Sequence, residues 1–529
     1  MVSLFLTLLP ILVILIMLIV FKKSADISGI VGWLIISAIA ITAFQTSVGV
    51  VFRSSIAGII KSFPVSLIVL TSLLQMAYME KTGALKRVII FIKTISRENR
   101  AVQIMMINIG FGTLMVAVGA TPVSILPPIL LSMGYSTYVA IALPAIGYDS
   151  LCTYALLGAP IVAFLDTAKA FGVNVTPSQA GRVFFMFLPL VSTLIGFCML
   201  WIVGKWQGIK EGLVPCLLTG LVIGVVSYFT NRVDNLVTLT GVLCGIAVIV
   251  AMALYLKLKG HKIIDKSKLT KEELEYEKKY PLWKALTPWA LLIALILCLN
   301  IPKPIYDVLY GKLLLPLSGI TANGKDINTR ALWNAYTWIL VSTLLSMVFL
   351  RPTKNQIKET IGTWLKRAPK PVFSAAIFFA IGEVMNMSGY NVVTHNLVKS
   401  NNMVSILANS SANFFQGLYG SVTSFIGLFG GFITGSEAST IGMFATYTMN
   451  TSKQLHMSTT GLIIVTAALA FGGGLASVIS PAKLQNASAS IDKLGEENKV
   501  IRIAFVFSLI LTLATSIFAF ILLKSGFSL

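Results

Sequence analysis

Charge is what this sequence has least of. Only 12% of its 529 residues are Asp, Glu, Lys or Arg, against about a quarter in an ordinary soluble domain. Acid is scarcer than base, with 20 Asp and Glu facing 41 Lys and Arg. The three histidines (His261, His395, His456) stand far apart in polar connections, and no ligand cluster forms around them. The five cysteines (Cys152, Cys198, Cys216, Cys244, Cys298) lie in apolar runs without CxxC spacing. They read as small buried hydrophobes, neither a disulfide framework nor a metal site. GxxxxGK[ST], HExxH and a Ser-His-Asp set are all missing. ATP-driven transport and an intramembrane enzyme therefore have no sequence basis.

What the chain does have is apolar length. It is 56% hydrophobic, and runs of about 20 residues recur from end to end, each enough for one helical crossing of a bilayer. The in-out alternation of an outer-membrane barrel is lacking. The fold class is an all-α polytopic membrane protein whose immediate partner is the lipid bilayer. The net charge of +21 does not point to nucleic acid, because the lysines and arginines collect in short loops between spans, the positive-inside signature. Residues 1–21 resemble a signal peptide but lack a preceding basic stretch. Lys22 and Lys23 follow the run instead, which favours an uncleaved first span.

Candidate spans fall near 2–21, 27–44, 64–79, 136–165, 182–203, 213–230 and 235–256, then 282–300, 331–350, 371–390, 459–481 and 500–523. Two stretches, 101–131 and 411–449, are too long and too broken by Gly, Pro, Ser and Thr for one simple crossing. Residues 81–100 carry six Lys/Arg, 257–284 carry nine and 351–370 carry six, so all three face the cytoplasm. With that sidedness both broken stretches return to the side they came from. The expectation is about 12 transmembrane helices plus two re-entrant hairpins in two inverted-topology repeats. The first repeat is 1–203 with hairpin 101–131, and the second is 282–529 with hairpin 411–449. Between them, 204–281 holds two linking spans and a lysine-rich cytoplasmic loop whose KEELEYEKK reads as a short solvated helix. Both termini are placed outside the cytoplasm. Opposed repeats with interrupted helices are common in secondary transporters, with the substrate between the repeats.

The chemistry concentrates at the breaks. GATPVSILPP (119–128) and TGSEASTIG (434–442) occupy matching hairpins, and GYDSLCTYALLGAP (147–160) and FGGGLASVISPAK (471–483) mark a second break in each repeat. Broken backbone at membrane depth is tolerated where protein or a watery cavity satisfies it, and free helix N-termini attract anions. Close helix packing through small residues is the competing explanation. Acids inside spans are costly and mark function by default. Glu437, Asp149 and Glu383 are the candidates for proton coupling, with Lys483 as a counter-charge for an anion. Glu437 reads as a proton-titrating or cation-binding carboxylate, or alternatively as a structural cap of the broken helix.

At these residues the sequence resembles the L-lactate permease family. The shared elements, in order, are MEKTGALKRVI (79–89), GFG (110–112), TPV (121–123), LGAPI (157–161), KWQGIKE (205–211), LTP (286–288), NMSG (386–389), FITGSEAS (432–439) and ISP (479–481). The resemblance implies a secondary transporter in the plasma membrane, moving lactate or a similar short 2-hydroxy monocarboxylate anion with protons by alternating access. It implies hairpin tips that hold the substrate carboxylate: Thr121, Pro122 and Ser124 in one, and Thr434, Gly435, Ser436, Ser439 and Thr440 around Glu437 in the other. The first tip departs from the family by lacking a carboxylate, while Asp149 and Lys483 are additions. Transport of another anion, sodium coupling and a passive anion channel are the alternatives. No organic cofactor is implied, and the oligomeric state is left open.

Overall fold

A chain this apolar must satisfy its backbone within itself, and helices do so locally. The computed structural model describes residues 2–95, 99–267, 269–493 and 495–529. Ten helices among them are long and apolar enough to cross a membrane, eleven with one bent pair. The protein is a multi-pass helical membrane protein.

The chain opens with α1 (Val2–Ile19), α2 (Ala25–Thr42), α3 (Val48–Lys61), α4 (Phe63–Lys81) and α5 (Ala84–Lys93). Then α6 (Arg100–Ile104), a π-helical stretch (Met105–Phe111) and α7 (Gly112–Ala117) run on as one apolar segment. It breaks before α8 (Pro122–Ser132). Next come α9 (Thr137–Gly147), a 3₁₀ stretch (Tyr148–Tyr154) and α10 (Ala155–Phe171), the last holding Leu156, Leu157 and Gly158 at φ of 52°, 53° and 78°. α11 covers Pro177–Thr230 and α12 Thr240–Leu258, followed by the short α13 (Lys271–Lys279) and α14 (Leu282–Ala285). α15 (Thr287–Asn300) meets α16 (Lys303–Tyr306) and its π-helical extension at 88°. The second half continues with α17 (Ala335–Leu350), α18 (Lys354–Arg367), α19 (Pro369–Met387), α20 (Met403–Phe415), α21 (Tyr419–Thr434) and α22 (Glu437–Gln454). It closes with α23 (Thr459–Leu475), α24 (Pro481–Ala489) and α25 (Glu497–Lys524).

Several sequence expectations change in detail. Spans 182–203 and 213–230 have no loop between them. Both lie in α11, and the reversal is made at Lys205 alone (φ 52°, ψ −138°). The halves then pack back on each other, with Gly212 against Leu200 and Gly220 against Thr193. Residues 48–61, outside every candidate span, form a helix of their own. Cys298 is exposed, unlike the other four cysteines, because its place on α15 faces outward. Two-residue strand pairs occur in connections, Pro316–Leu317 with Ile327–Asn328 and Tyr390–Asn391 with Asn396–Leu397.

The lysine-rich loop is clamped down. α13 starts on a capping box, in which Thr270 and Glu273 each accept the other's backbone N–H. It is then tied to the start of the chain by Arg87–Glu277 (2.9 Å) and Lys93–Glu273 (2.6 Å). The Tyr276 hydroxyl donates to the Gly83 carbonyl (2.9 Å), and the Asp265 N–H to that of Thr94 (2.7 Å). Partial burial raises the Glu273 carboxyl, but Lys93 and the Thr270 donors outweigh it and hold it below its usual range. An acid depressed on folding contributes stability above its unfolded pKa, and that contribution is lost as pH falls through the folded value. Amide protection of 271–279, corrected for intrinsic exchange, should hold from about pH 8 to about pH 5 and fall below about pH 4. In Lys93→Ala protection should be lower above about pH 5 and its acid-side fall smaller; an unchanged profile would count against the clamp.

Candidate functional site

The second hairpin is built by one left-handed residue. α21 ends at Thr434, and Gly435 takes φ +70°, a conformation open to glycine at no steric cost. Ser436 is extended and caps α22, its hydroxyl accepting the Ser439 N–H. The tip's hydroxyls bond to the tip itself. Thr434 and Thr440 both donate to the Ser436 carbonyl, at 3.0 and 2.8 Å, and lie 3.1 Å from each other. Thr434 and Thr440 are buried, whereas Gly435 and Ser436 are half-buried. Ser439 is buried, and its hydroxyl makes no hydrogen bond among the described residues.

Glu437 follows as the first residue of α22 and is only 2% exposed. A carboxylate at a helix N-terminus is favoured by the helix dipole, yet burial demands further donors. One comes from 284 residues away: Thr153 Oγ1 donates to Glu437 Oε1 at 2.6 Å. Thr153 lies in the 3₁₀ stretch, the first half's own break. The other oxygen, Oε2, has no hydrogen-bond partner among the described residues. It lies against Gly474, where an added Cβ would sit 2.6 Å from Oε2 and 3.2 Å from Cys152 Cβ. Cys152, Asp149 and Lys483 complete the polar surroundings of the acid. Gly435 in turn faces Ser480, whose Oγ is 3.6 Å from where its Cβ would stand. The second hairpin and both downstream breaks therefore meet at one carboxyl.

The sequence candidates divide accordingly. Glu437, Asp149, Lys483, Thr434, Gly435, Ser436, Ser439 and Thr440 gather here. Thr121, Pro122 and Ser124 form the start of α8, beyond the left-handed Gly119 (φ 89°). Thr121 and Ser124 are exposed there and Pro122 is buried. Gly119 packs against Ser72 and Leu156, so the first tip touches the left-handed part of α10. The helices cross over: α8 of the first tip packs on α24, and α22 of the second tip packs on α10. Glu383 sits elsewhere, in an ion pair with Lys61 at 2.5 Å. Sequence reasoning missed Thr153, Cys152, Gly474 and Lys61. The first three lie in the quoted break segments, but no local pattern marks them as partners of Glu437. Among the described residues no group of three or more His, Cys, Asp or Glu could hold a metal ion.

The family model described as L-lactate permease matches residues 3–524. The chain belongs to the L-lactate permease family. It is a membrane transport protein, a member of a family of permeases and not an enzyme. The L-lactate permease of Escherichia coli K12 is 23% identical over 483 residues, covering 85% of this chain and 83% of that protein. The E. coli K12 protein named glycolate permease GlcA is 22% identical, covering 95% and 92%. An L-lactate permease of Halalkalibacterium halodurans is 22% identical, covering 98% and 97%. Among solved structures, the Alcanivorax borkumensis YdaH transporter is similar with a TM-score of 0.46 at 14% identity, covering 90% of this chain and 88% of that one. MtrF of Neisseria gonorrhoeae is similar with a TM-score of 0.42 at 16% identity, covering 88% and 82%.

The seat of Glu437 is closed in by Gly474. Gly474→Ala puts a methyl carbon inside the carboxyl's van der Waals shell, so the carboxyl must shift against its Thr153 donor. Transport by this permease should fall by about tenfold or more, the effect of losing one buried charge-assisted hydrogen bond, with normal amounts of protein in the membrane. Thr153→Val should act in the same direction. Full activity in both variants would show that the Thr153–Glu437 contact has no part in transport.

Proposed function

We propose that this protein is a secondary transporter of L-lactate or a similar short 2-hydroxy monocarboxylate across the plasma membrane, in symport with a proton. The observation that carries the reading is Glu437: a buried carboxyl with a single hydroxyl donor, at the start of a helix, where three broken segments meet. Family membership supplies the substrate class, because the named relatives are lactate and glycolate permeases.

In this reading the half-buried backbone of Gly435 and Ser436 and the exposed hydroxyls of Thr121 and Ser124 receive the substrate carboxylate from two opposed tips. Lys483 offsets its charge. The proton binds at Glu437, with Asp149 as the second acid of the pair, so the anion and the proton enter together. Two inverted repeats, each with a re-entrant hairpin, provide alternating access; the crossed packing of α8 on α24 and α22 on α10 supports this. The lysine-rich loops face the cytoplasm and both termini lie outside it. Transport of another anion, or sodium coupling, is the second reading. It is favoured by the two buried oxygens without hydrogen bonds, Glu437 Oε2 and Ser439 Oγ, which suit a hard cation.

Purified protein in vesicles should accumulate labelled lactate when an inward proton gradient is imposed. Glu437→Gln should abolish accumulation and leave lactate counterflow. Lactate transport that needs sodium and ignores the proton gradient would replace the first reading by the second. Transport without counterflow or accumulation would indicate a channel.

A further inference from the structure

The two halves share a device outside the tips. In the first, α3 leads through Ser62 into α4, whose second residue is Pro64; in the second, α18 leads through Ala368 into α19, which starts on Pro369. Each lead-in helix packs against the other half's long helix, α3 on α19 and α18 on α4. Each ends in a cation that pairs with an acid near the far end of that helix. Lys61 closes α3 and binds Glu383 at 2.5 Å; Arg367 closes α18 and binds Glu80 at 2.6 Å. Since Lys61 lies just before the start of α4 and Glu80 near its end, the two ion pairs lie about 26 Å apart along it. α4 and α19 therefore run antiparallel with one ionic joint at each end.

The joints are not equivalent in burial. Arg367 and Glu80 keep 55% and 36% side-chain exposure, whereas Lys61 and Glu383 keep 31% and 9%. An exposed pair is worth little. A buried acid left alone is costly, so the inner contacts of Glu383 must persist. They lead onward: Asn386 Nδ2 donates to Glu383 Oε2 (3.4 Å) and to Thr446 Oγ1 of α22 (3.2 Å). Beside this chain α19 and α22 touch backbone to backbone, a Cβ on Gly382 falling 2.7 Å from the Gly442 carbonyl. Thr446 is nine residues, or about 14 Å, from Glu437 on the same helix.

We propose that the Lys61–Glu383 ion pair is a strut that sets the position of α22, and with it of Glu437, through Asn386 and Thr446. Glu383 is then a positioning residue and carries no proton in the transport cycle. Arg367–Glu80 is its counterpart at the other end of the α4–α19 pair. The inference rests on the reading of Glu437 as the coupling acid.

The test removes the two charges singly and together. Removing one partner strands a charge, whereas neutralising both leaves none uncompensated. In vesicles, Lys61→Met and Glu383→Gln should each lower counterflow and proton-driven accumulation together, by about tenfold or more. The double variant Lys61→Met/Glu383→Gln, which keeps an acceptor for Asn386, should recover most of both, and Arg367→Met should change either by less than about twofold. Thr446→Val, which leaves the ion pair intact, should raise the KM for lactate severalfold at unchanged maximal rate. A double variant with counterflow but no accumulation would make Glu383 a proton carrier and overturn the proposal. So would single variants that match wild type, or an unchanged KM in Thr446→Val. If wild type moves no lactate, the substrate reading fails separately. Thermal unfolding of the same variants still decides the strut: the single variants should melt lower than wild type and the double variant should recover. Equal melting of all three would overturn it.

Discussion

The Thr153–Glu437 hydrogen bond ties together segments that no local rule would join. It brings a carboxyl from the tip of the second hairpin to a hydroxyl in the break of the first half, 284 residues away. A buried acid with one such donor tolerates no competing bulk, and the surrounding composition follows from that. Position 474 has no room for a Cβ beside Oε2. The helices that deliver the tip approach as closely as backbones can: a Cβ on Gly427 or Gly431 of α21 would fall 2.0 or 2.1 Å from carbonyls of α23. The small residues that look like generic helix packing in sequence are here the condition for placing one acid against two breaks.

The hydroxyls of the tip have a different task from the one their abundance suggests. Thr434 and Thr440 both donate to the Ser436 carbonyl, which also accepts the Thr440 N–H that opens α22. A break at membrane depth needs such internal acceptance, and it leaves the half-buried backbone at Gly435 and Ser436 as the accessible part of the tip. In the first tip the arrangement is reversed. Thr121 makes no capping hydrogen bond and is exposed together with Ser124, so side chains are what that tip presents. The two tips are unlike in chemistry.

How much of this could be read beforehand depended on range. Apolar length fixed the helical membrane class, and glycine and proline inside apolar runs marked all four breaks within a few residues. Glu437 stood out because an acid in such a run has no cheap explanation. Its partners did not, since Thr153, Cys152 and Gly474 are ordinary residues until the folded chain brings them together. Residues 48–61 escaped notice because a helix with one polar face lacks the uniform hydropathy that marks a span. The reversal in α11 was placed correctly but drawn too long, because one residue, Lys205, does the work of a loop. Glu383 was recognised as costly, but the cation that satisfies it lies 322 residues upstream.

Comparing the two acids explains why burial alone is a poor guide to coupling. Glu383 is bound by a lysine at 2.5 Å and by an amide. Removing the acid would strand the lysine. Glu437 accepts a neutral hydroxyl at one oxygen, and its other oxygen faces a glycine and a thiol. Among the described residues, adding a proton there strands no cation hydrogen-bonded to the carboxyl. On the proposed reading, in which the coupling acid takes two charge states, the second environment is the one required. The first fits only where nothing has to change, as between the helices that hold the site in position.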